Sequence, residues 1–344
     1  DNLNIYNTLL VLSVFKFMTV TINYKKKSKK KSSNLVLFVD ENFNISNLKK
    51  YLSSSEYSFI SDLLTTTDKK KEIVSYDISS KKKIILIALK KKMTSSVAES
   101  LGAKFYDKFK NLKQNHINLN SDSAQNTISN FIGHFLHGIK LKSYTFDKYK
   151  SKKEKKSIFI DILGKNIPSI SDQRKFKAIE NGIFFARDLV SEPGNILHPD
   201  EYAKRLTQLR KIGLKVNVYD EKKLEKLGMN TLLGVGQGSI RGSYLVTMEW
   251  RGLKNNSKPL AFVGKGVCFD TGGISLKPAK FMEDMTYDMA GSATVVGLMK
   301  SLASRKAKVN AIGVVGLVEN MPGGNAQRPG DIVKSYSGKT VEIL

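Results

Sequence analysis

The chain has 344 residues, enough for two domains, and its hydrophobic content of 41% excludes a chain that is disordered throughout. Lys and Arg outnumber Asp and Glu by 57 to 31, a formal charge of +26, but only 8 of the basic residues are Arg. Because Arg dominates bidentate phosphate recognition, we interpret the charge as compositional bias, with a polyanion-binding surface as the alternative. The single cysteine, Cys268, excludes an intrachain disulfide and a Cys-based zinc cage, and is typical of a reducing compartment.

The first residues do not resemble a membrane or export segment. The apolar run 8–15 is far shorter than the roughly 20 residues of a membrane helix, and no basic residue precedes it as in a signal peptide. We therefore expect no membrane association, and we interpret residues 1–17, upstream of Met18, as a non-native leader.

Residues 18–165 are predicted to form an N-terminal α/β domain, because apolar strand segments alternate with helical patterns. The expected strands are 34–40, 83–89 and 157–163, and the expected helices begin at 95 and cover 127–139. The Ser-rich residues 53–58 and the Lys-rich residues 140–156 are predicted loops. His134 and His137 are interpreted as packing residues of the second helix, since the sequence places no acidic or Cys partner beside them. No chemistry is assigned to this half.

Residues 166–190 are predicted to be a linking helix, and residues 191–344 a second α/β domain. Helices are expected over 173–190, 199–209 and 284–303, and strands over 215–219, 243–250, 259–263 and 310–318. The central strands are apolar enough to be buried on both faces. The glycines of 234–238 lack the spacing of a dinucleotide fingerprint and are interpreted as a tight turn.

The strongest chemical signal lies in residues 263–278, which follow a predicted strand directly. Lys265, Asp270 and Lys277 lie among four glycines there, at the strand end where open α/β sheets bind ligands. Asp288 precedes four small residues, 290–293, which would let the next helix pack closely on the sheet. Two carboxylates suit a hard divalent cation, a neutral lysine can be a ligand, and a charged one can polarise a carbonyl oxygen. Spacing alone leaves open the alternative of loop and helix-cap aspartates beside solvated lysines.

These segments resemble the leucine aminopeptidases, or cytosol aminopeptidases, a family of two-metal exopeptidases. Residues 263–277 read Val-Gly-Lys-Gly-Val-Cys-Phe-Asp-Thr-Gly-Gly-Ile-Ser-Leu-Lys and differ from the family pattern only mildly, at 267, 268, 271 and 276. The likeness continues at 186–190, 234–239, 318–324, 328–331 and 337–340. It implies a macro-like N-terminal α/β domain and a C-terminal α/β/α zinc-peptidase-type catalytic domain, incomplete at its C-terminus.

The resemblance also implies a role for each matching residue. Lys265, Asp270 and Asp288 would be ligands of two divalent cations, Mn²⁺ or Zn²⁺ or else Mg²⁺, with Asp270 between them. Lys277 would be the charged catalytic group that binds the substrate and stabilises the gem-diolate, and Met285 would line the pocket for the substrate's first side chain. The implied activity is removal of N-terminal amino acids, with a leucine-type preference, from peptides by a cytoplasmic homohexamer.

The chain departs from the family pattern at its end. In the family, the stretch that matches 341–344 is followed by Asn-Thr-Asp-Ala-Glu-Gly-Arg, which supplies two more acidic ligands and a catalytic Arg. Because two cations need about four to six ligands each, we expect the 344-residue chain to be an inactive fragment of a longer aminopeptidase. The alternatives are a DNA-binding or architectural protein, which the charge favours, and a catalytically dead truncated homologue.

Overall fold

The structure, a computed structural model, describes residues 20–25, 34–125, 127–152, 157–253 and 257–344. The chain forms two compact units, and the boundary between them lies between Gln173 and Arg174. The predicted leader, residues 1–17, lies outside the described residues. Within the described ranges, no helix combines the length and the apolar character that crossing a membrane requires.

The first unit is built on one six-stranded sheet. Its strands are β1 (Val20–Lys25), β2 (Asn34–Asp40), β3 (Ile73–Ser79), β4 (Lys82–Leu89), β5 (His116–Asn120) and β6 (Ile158–Leu163). Its helices are α1 (Ser54–Thr66), α2 (Ser95–Phe109) and α3 (Phe131–Lys142), with 3₁₀ turns at Ser46–Tyr51 and Ser121–Ser123. The strand order is β1-β6-β5-β2-β4-β3, and only β3 runs antiparallel to its neighbour.

Both faces of this sheet are buried, which explains why its central strands are continuously apolar. Along β2, Val36 belongs to the core cluster that includes residues of α2 and α3, whereas Leu37 belongs to a second cluster with residues of α1. The same alternation along β4 places Ile85 in the first cluster and Ile84 in the second. The predicted strands 34–40, 83–89 and 157–163 are therefore confirmed to within a residue at either end.

Two predictions for the first unit are wrong in part. Residues 53–58 are not a loop, because Ser53 accepts a hydrogen bond from the Glu56 N–H, and the Glu56 carboxylate accepts one from the Ser53 N–H. This reciprocal capping box starts α1, so the serines mark a helix start. His134 does have an acidic partner, since its Nδ1 lies 2.8 Å from Glu99 Oε1 of α2; the two residues are far apart in sequence, so the contact depends on the packing of two helices.

The predicted loop 140–156 begins later than expected. Helix α3 continues to Lys142, and 143–152 contain no further helix or strand. The last part of this predicted loop, 153–156, lies outside the described residues.

The second unit is built on a four-stranded sheet and a small hairpin. The strands are β7 (Lys215–Tyr219), β8 (Tyr244–Arg251), β9 (Leu260–Asp270), β10 (Asn310–Asn320), β11 (Ile332–Lys334) and β12 (Thr340–Glu342). The helices are α4 (Ile170–Ser191), α5 (Pro199–Thr207), α6 (Glu221–Lys226), α7 (Asn230–Gly236) and α8 (Ala290–Ser304), with 3₁₀ turns at Gln208–Ile212 and Met282–Tyr287. The sheet order is β7-β8-β10-β9, with β8 antiparallel to both neighbours and β9 parallel to β10.

Strand β9 differs from its prediction in length and burial. It continues to Asp270, so Lys265 lies on the strand and not in a turn. Val263 is 79% exposed, whereas Gly264 and Gly266 are buried. The expectation that β9 is buried on both faces is therefore wrong for this part of the strand. Helix α8 covers the face on which Gly264 and Gly266 lie, and Val263 lies on the opposite face.

Two more details of the second unit differ from expectation. Gly234 and Gly236 lie on α7 and not in a tight turn; a Cβ on Gly236 would come within 2.2 Å of Ser243 Oγ, so the glycine permits close packing. The helix predicted from residue 284 begins at Ala290, after the 3₁₀ turn. The α/β fold class is confirmed.

Candidate active site

Asp270 ends β9 in a network of hydrogen bonds. Its Oδ1 accepts bonds from the Gly272 N–H at 2.8 Å and from Asn320 Nδ2 at 2.7 Å, and its Oδ2 lies 3.2 Å from Lys277 Nζ. Burial raises the pKa of the Asp270 carboxyl, but these hydrogen bonds outweigh the effect, so the pKa lies below its usual value. The carboxylate is therefore held charged.

A glycine turn brings Lys277 back to Asp270. Gly272 and Gly273 have φ values of +90° and +72°, a region that residues with a Cβ rarely occupy. The turn closes through the Lys277 N–H, which donates to the Thr271 carbonyl at 2.8 Å. The two glycines therefore make the Lys277–Asp270 ion pair possible.

Lys265 and Asp288 form a second ion pair. Lys265 Nζ lies 2.8 Å from Asp288 Oδ1, and the lysine side chain is 61% exposed. The other carboxylate oxygen, Asp288 Oδ2, is buried and has no hydrogen-bond partner. A buried, unpaired carboxylate oxygen is costly, and a cation bound at this position would satisfy it.

Close packing of α8 on β9 sets the position of Asp288, which precedes this helix by two residues. A Cβ on Gly264 would lie 2.7 Å from both the Gly291 carbonyl oxygen and Ser292 Cα. Ser292 Oγ donates to the Met289 carbonyl at 2.7 Å and lies 3.0 Å from the hydroxyl of the buried Tyr202. The predicted close approach of the small residues is thus present.

The donor set fits divalent cations. Carboxylate oxygens are hard ligands, and the unpaired Asp288 Oδ2 offers a free coordinating atom beside the Lys265 amine. Over the described ranges, no group of three or more His, Cys, Asp or Glu residues is placed to hold a metal. A cation site here would therefore depend on a lysine in addition to the two aspartates.

Met285 and Cys268 are the remaining candidate residues. Met285 lies in the 3₁₀ turn Met282–Tyr287, is half-buried, and accepts a backbone hydrogen bond from the Asp288 N–H. Its pocket role stays a prediction. Cys268 is 2% exposed and belongs to the core of the second unit, and burial raises the pKa of its thiol, as for an inert structural cysteine.

Sequence reasoning missed Asn320 and Tyr202 as parts of this arrangement. Asn320 is the last residue of β10, the strand parallel to β9, so a polar residue at that position was an available signal. Tyr202 lies on α5, far from the site in sequence, and its contact with Ser292 depends on packing alone.

The second unit is an α/β domain in which two Lys–Asp pairs form a candidate cation site. Residues 184–344 match the family model described as cytosol aminopeptidase family, catalytic domain. The resemblance recognised from the sequence is confirmed by this match and by the curated relatives.

Curated relatives carry the same name. A probable cytosol aminopeptidase of Phytoplasma australiense is 56% identical over 216 residues, which cover 61% of this chain and 43% of the relative. One from Afipia carboxidovorans is 55% identical over 213 residues, 60% of this chain and 43% of the relative. The chain thus spans less than half the length of these relatives. Both are named as probable aminopeptidases, which does not favour the alternative of a DNA-binding or architectural protein.

Solved structures share the fold. A mutant of tomato leucine aminopeptidase matches with a TM-score of 0.76 at 23% identity, covering 94% of this chain and 67% of that one. The bottromycin maturation enzyme BotP, in complex with Mn, matches with a TM-score of 0.73 at 23% identity, covering 90% of this chain and 65% of that one. At this identity the likeness concerns the fold alone.

Proposed function

We propose that the protein carrying this chain is a metal-dependent aminopeptidase that removes N-terminal amino acids, with a leucine-type preference, from peptides. The observation that carries the proposal is the buried, unpaired Asp288 Oδ2 beside Lys265, in a segment that matches the cytosol aminopeptidase catalytic domain. Lys265, Asp270 and Asp288 would hold two divalent cations, Mn²⁺ or Zn²⁺ or else Mg²⁺. When bound, such cations supply Lewis acidity and lower the pKa of a water molecule.

Lys265 and Lys277 would take different roles. To be a ligand, Lys265 Nζ must lose the proton that it shares with Asp288 in the ion pair. Lys277 stays charged beside Asp270 and donates a hydrogen bond to the substrate carbonyl oxygen as negative charge develops there. Lys277 is thus both a substrate-binding and a catalytic residue.

Met285 would contribute to substrate selection. Its half-buried side chain lies on the short turn directly before Asp288, so it is close in sequence to a proposed ligand. A flexible thioether side chain adapts to aliphatic groups of different shape, which fits a leucine-type preference.

The assembly and the location are part of the proposal. The relatives' name, cytosol aminopeptidase, supports a cytoplasmic location, and the family resemblance supports a homohexamer.

Hydrolysis of a leucine anilide with added Mn²⁺ or Zn²⁺ tests this function. In the full-length gene product, we expect Lys277→Ala and Asp288→Ala to abolish hydrolysis, because one removes the charged donor and the other a ligand. Lys280→Ala and Asp284→Ala are matched controls, since both residues are exposed on the same segment, and they should leave most of the activity. Full activity in Lys277→Ala and Asp288→Ala would refute the assigned roles.

A further inference from the structure

We infer that Asn320 is a positioning residue, which fixes the Asp270 carboxylate in the orientation that cation binding requires. The inference rests on the function proposed above. It concerns a residue of β10 that is not itself a proposed ligand, and it follows from strand register and hydrogen bonding at the ends of β9 and β10.

A β-bulge places Asp270 opposite Asn320. The parallel pairing of β9 and β10 matches Val267 with Val318, so an uninterrupted register would bring Phe269 opposite Asn320. The register shifts after Val318, and Asp270 becomes the partner instead. One extra residue in β9 therefore selects which side chain faces Asn320, as bulges beside functional sites often do.

The contact between these side chains is direct and has a defined direction. Asn320 Nδ2 donates to Asp270 Oδ1 at 2.7 Å, and a charged carboxylate only accepts, so the amide NH₂ must face it. Together with the bonds from Gly272 and Lys277, the amide holds both carboxylate oxygens. Rotation of the Asp270 side chain would break all three contacts.

The backbone of Asn320 anchors the turn independently of its side chain. Its carbonyl oxygen accepts hydrogen bonds from the Thr271 N–H at 3.0 Å and from Thr271 Oγ1 at 2.9 Å. A Cβ on Gly273 would lie 2.9 Å from Asn320 Oδ1, so a glycine there leaves room for the amide. Replacement of Asn320 by alanine should therefore keep the turn and remove only the contact with the carboxylate.

Asn310 supplies a matched control at the opposite end of β10. Its side chain makes hydrogen bonds to other groups: Nδ2 donates to the Ser257 carbonyl at 3.3 Å and to Ser257 Oγ at 3.2 Å, and Oδ1 accepts from the Leu253 N–H at 3.1 Å. Asn310→Ala thus removes comparable hydrogen bonds from the same strand without touching Asp270. Differences between the two variants then separate positioning of the carboxylate from a general loss of stability.

The test titrates Mn²⁺ into the full-length gene product and its variants and measures the affinity directly. Asn320→Ala should bind Mn²⁺ about tenfold or more weakly, the usual effect of removing a partner of a metal ligand, and Asn310→Ala should bind like the wild type. Hydrolysis of a leucine anilide by Asn320→Ala should recover at high Mn²⁺, whereas Asp270→Ala should not recover. Unfolding by urea in the presence of a chelator checks that both asparagine variants fold.

The outcomes separate this inference from the proposed function. Wild-type Mn²⁺ affinity in Asn320→Ala, or an equal loss of affinity in Asn320→Ala and Asn310→Ala, would overturn the positioning role. If the wild-type gene product does not hydrolyse the anilide with added Mn²⁺, the proposed function fails. If Asp270→Ala hydrolyses the anilide like the wild type, the ligand role of Asp270 fails, and the inference fails with it. If Asp270→Ala is inactive while Asn320→Ala binds Mn²⁺ normally, only the inference fails.

Discussion

At the scale of single residues, each aspartate proposed as a cation ligand is more buried than the lysine with which it forms an ion pair. The side chains of Asp270 and Asp288 are 14% and 20% exposed, against 37% for Lys277 and 61% for Lys265. Because desolvation penalises an unpaired carboxylate, each lysine partly compensates a charge that the fold keeps in place. A cation could take over this compensation when Lys265 becomes a ligand.

A partly buried hydrogen bond outside the site gives a pH-dependent prediction at the residue scale. Burial raises the pKa of Asp200, but bonds from the Tyr244 hydroxyl, at 2.8 Å, and from His198 lower it below its usual value. A carboxyl with a lowered folded pKa stabilises the fold above its unfolded pKa, near 3.8, and loses that contribution as the pH falls through the folded pKa.

We therefore expect Tyr244→Phe to lower the free energy of unfolding by about 0.5–1.5 kcal/mol at pH 7, because the Asp200 side chain is 38% exposed and water screens part of the contact. At a pH below the folded pKa of Asp200 the difference from the wild type should shrink. Urea unfolding at both pH values measures it. Equal differences at neutral and acid pH would contradict the assignment.

At the scale of elements, the packing of α8 against β9 brings Asp288 close to Lys265. Gly264 and the small residues at the start of α8 let the two backbones approach, and Tyr202 bonds to Ser292 behind them. Lys265 and Asp270 belong to the strand, whereas Asp288 precedes the helix. The position of Asp288 relative to Lys265 therefore depends on this packing contact.

Gly264→Ala should destabilise the second unit, because the added Cβ would lie 2.7 Å from backbone atoms of α8. Overpacking of this kind costs about 1–3 kcal/mol, and we expect weaker Mn²⁺ binding as the helix shifts. Gly324→Ala is the control, since nothing lies within 4 Å of its added Cβ. Thermal unfolding with and without Mn²⁺ measures both effects, and similar values for the two variants would show that the contact is not essential.

Elements with a strong local signal were predictable from the sequence, and those that depend on pairing were not. Strand β2 has the predicted bounds because its buried residues form a continuous apolar run. The segment 263–277 revealed Lys265, Asp270 and Lys277 because the family motif is continuous in sequence. The bulge that pairs Asp270 with Asn320 is a property of two strands, so no single segment encodes it.

Across the whole molecule, the charge of +26 raises the question of a polyanion partner. Part of this charge is locally paired: Lys90 and Lys104 both contact Glu72, and their hydrogen bonds lower the pKa of its carboxyl. With only 8 Arg, we interpret the excess of lysine as compositional bias.

This interpretation predicts no specific binding of duplex DNA at roughly physiological salt, since non-specific phosphate contacts weaken steeply as salt rises. A mobility-shift titration at low and at physiological salt measures this. Retained, sequence-dependent binding at the higher salt would contradict the compositional explanation and revive the nucleic-acid alternative.

Binding of divalent cations at Lys265, Asp270 and Asp288 is the central requirement of the proposed function. Crystals of the full-length gene product soaked in Mn²⁺ would locate them directly by anomalous scattering. We predict anomalous peaks within bonding distance of the Asp270 and Asp288 carboxylates, one of them beside Lys265 Nζ. Peaks only elsewhere in the molecule, with the Lys265–Asp288 ion pair intact, would contradict the account.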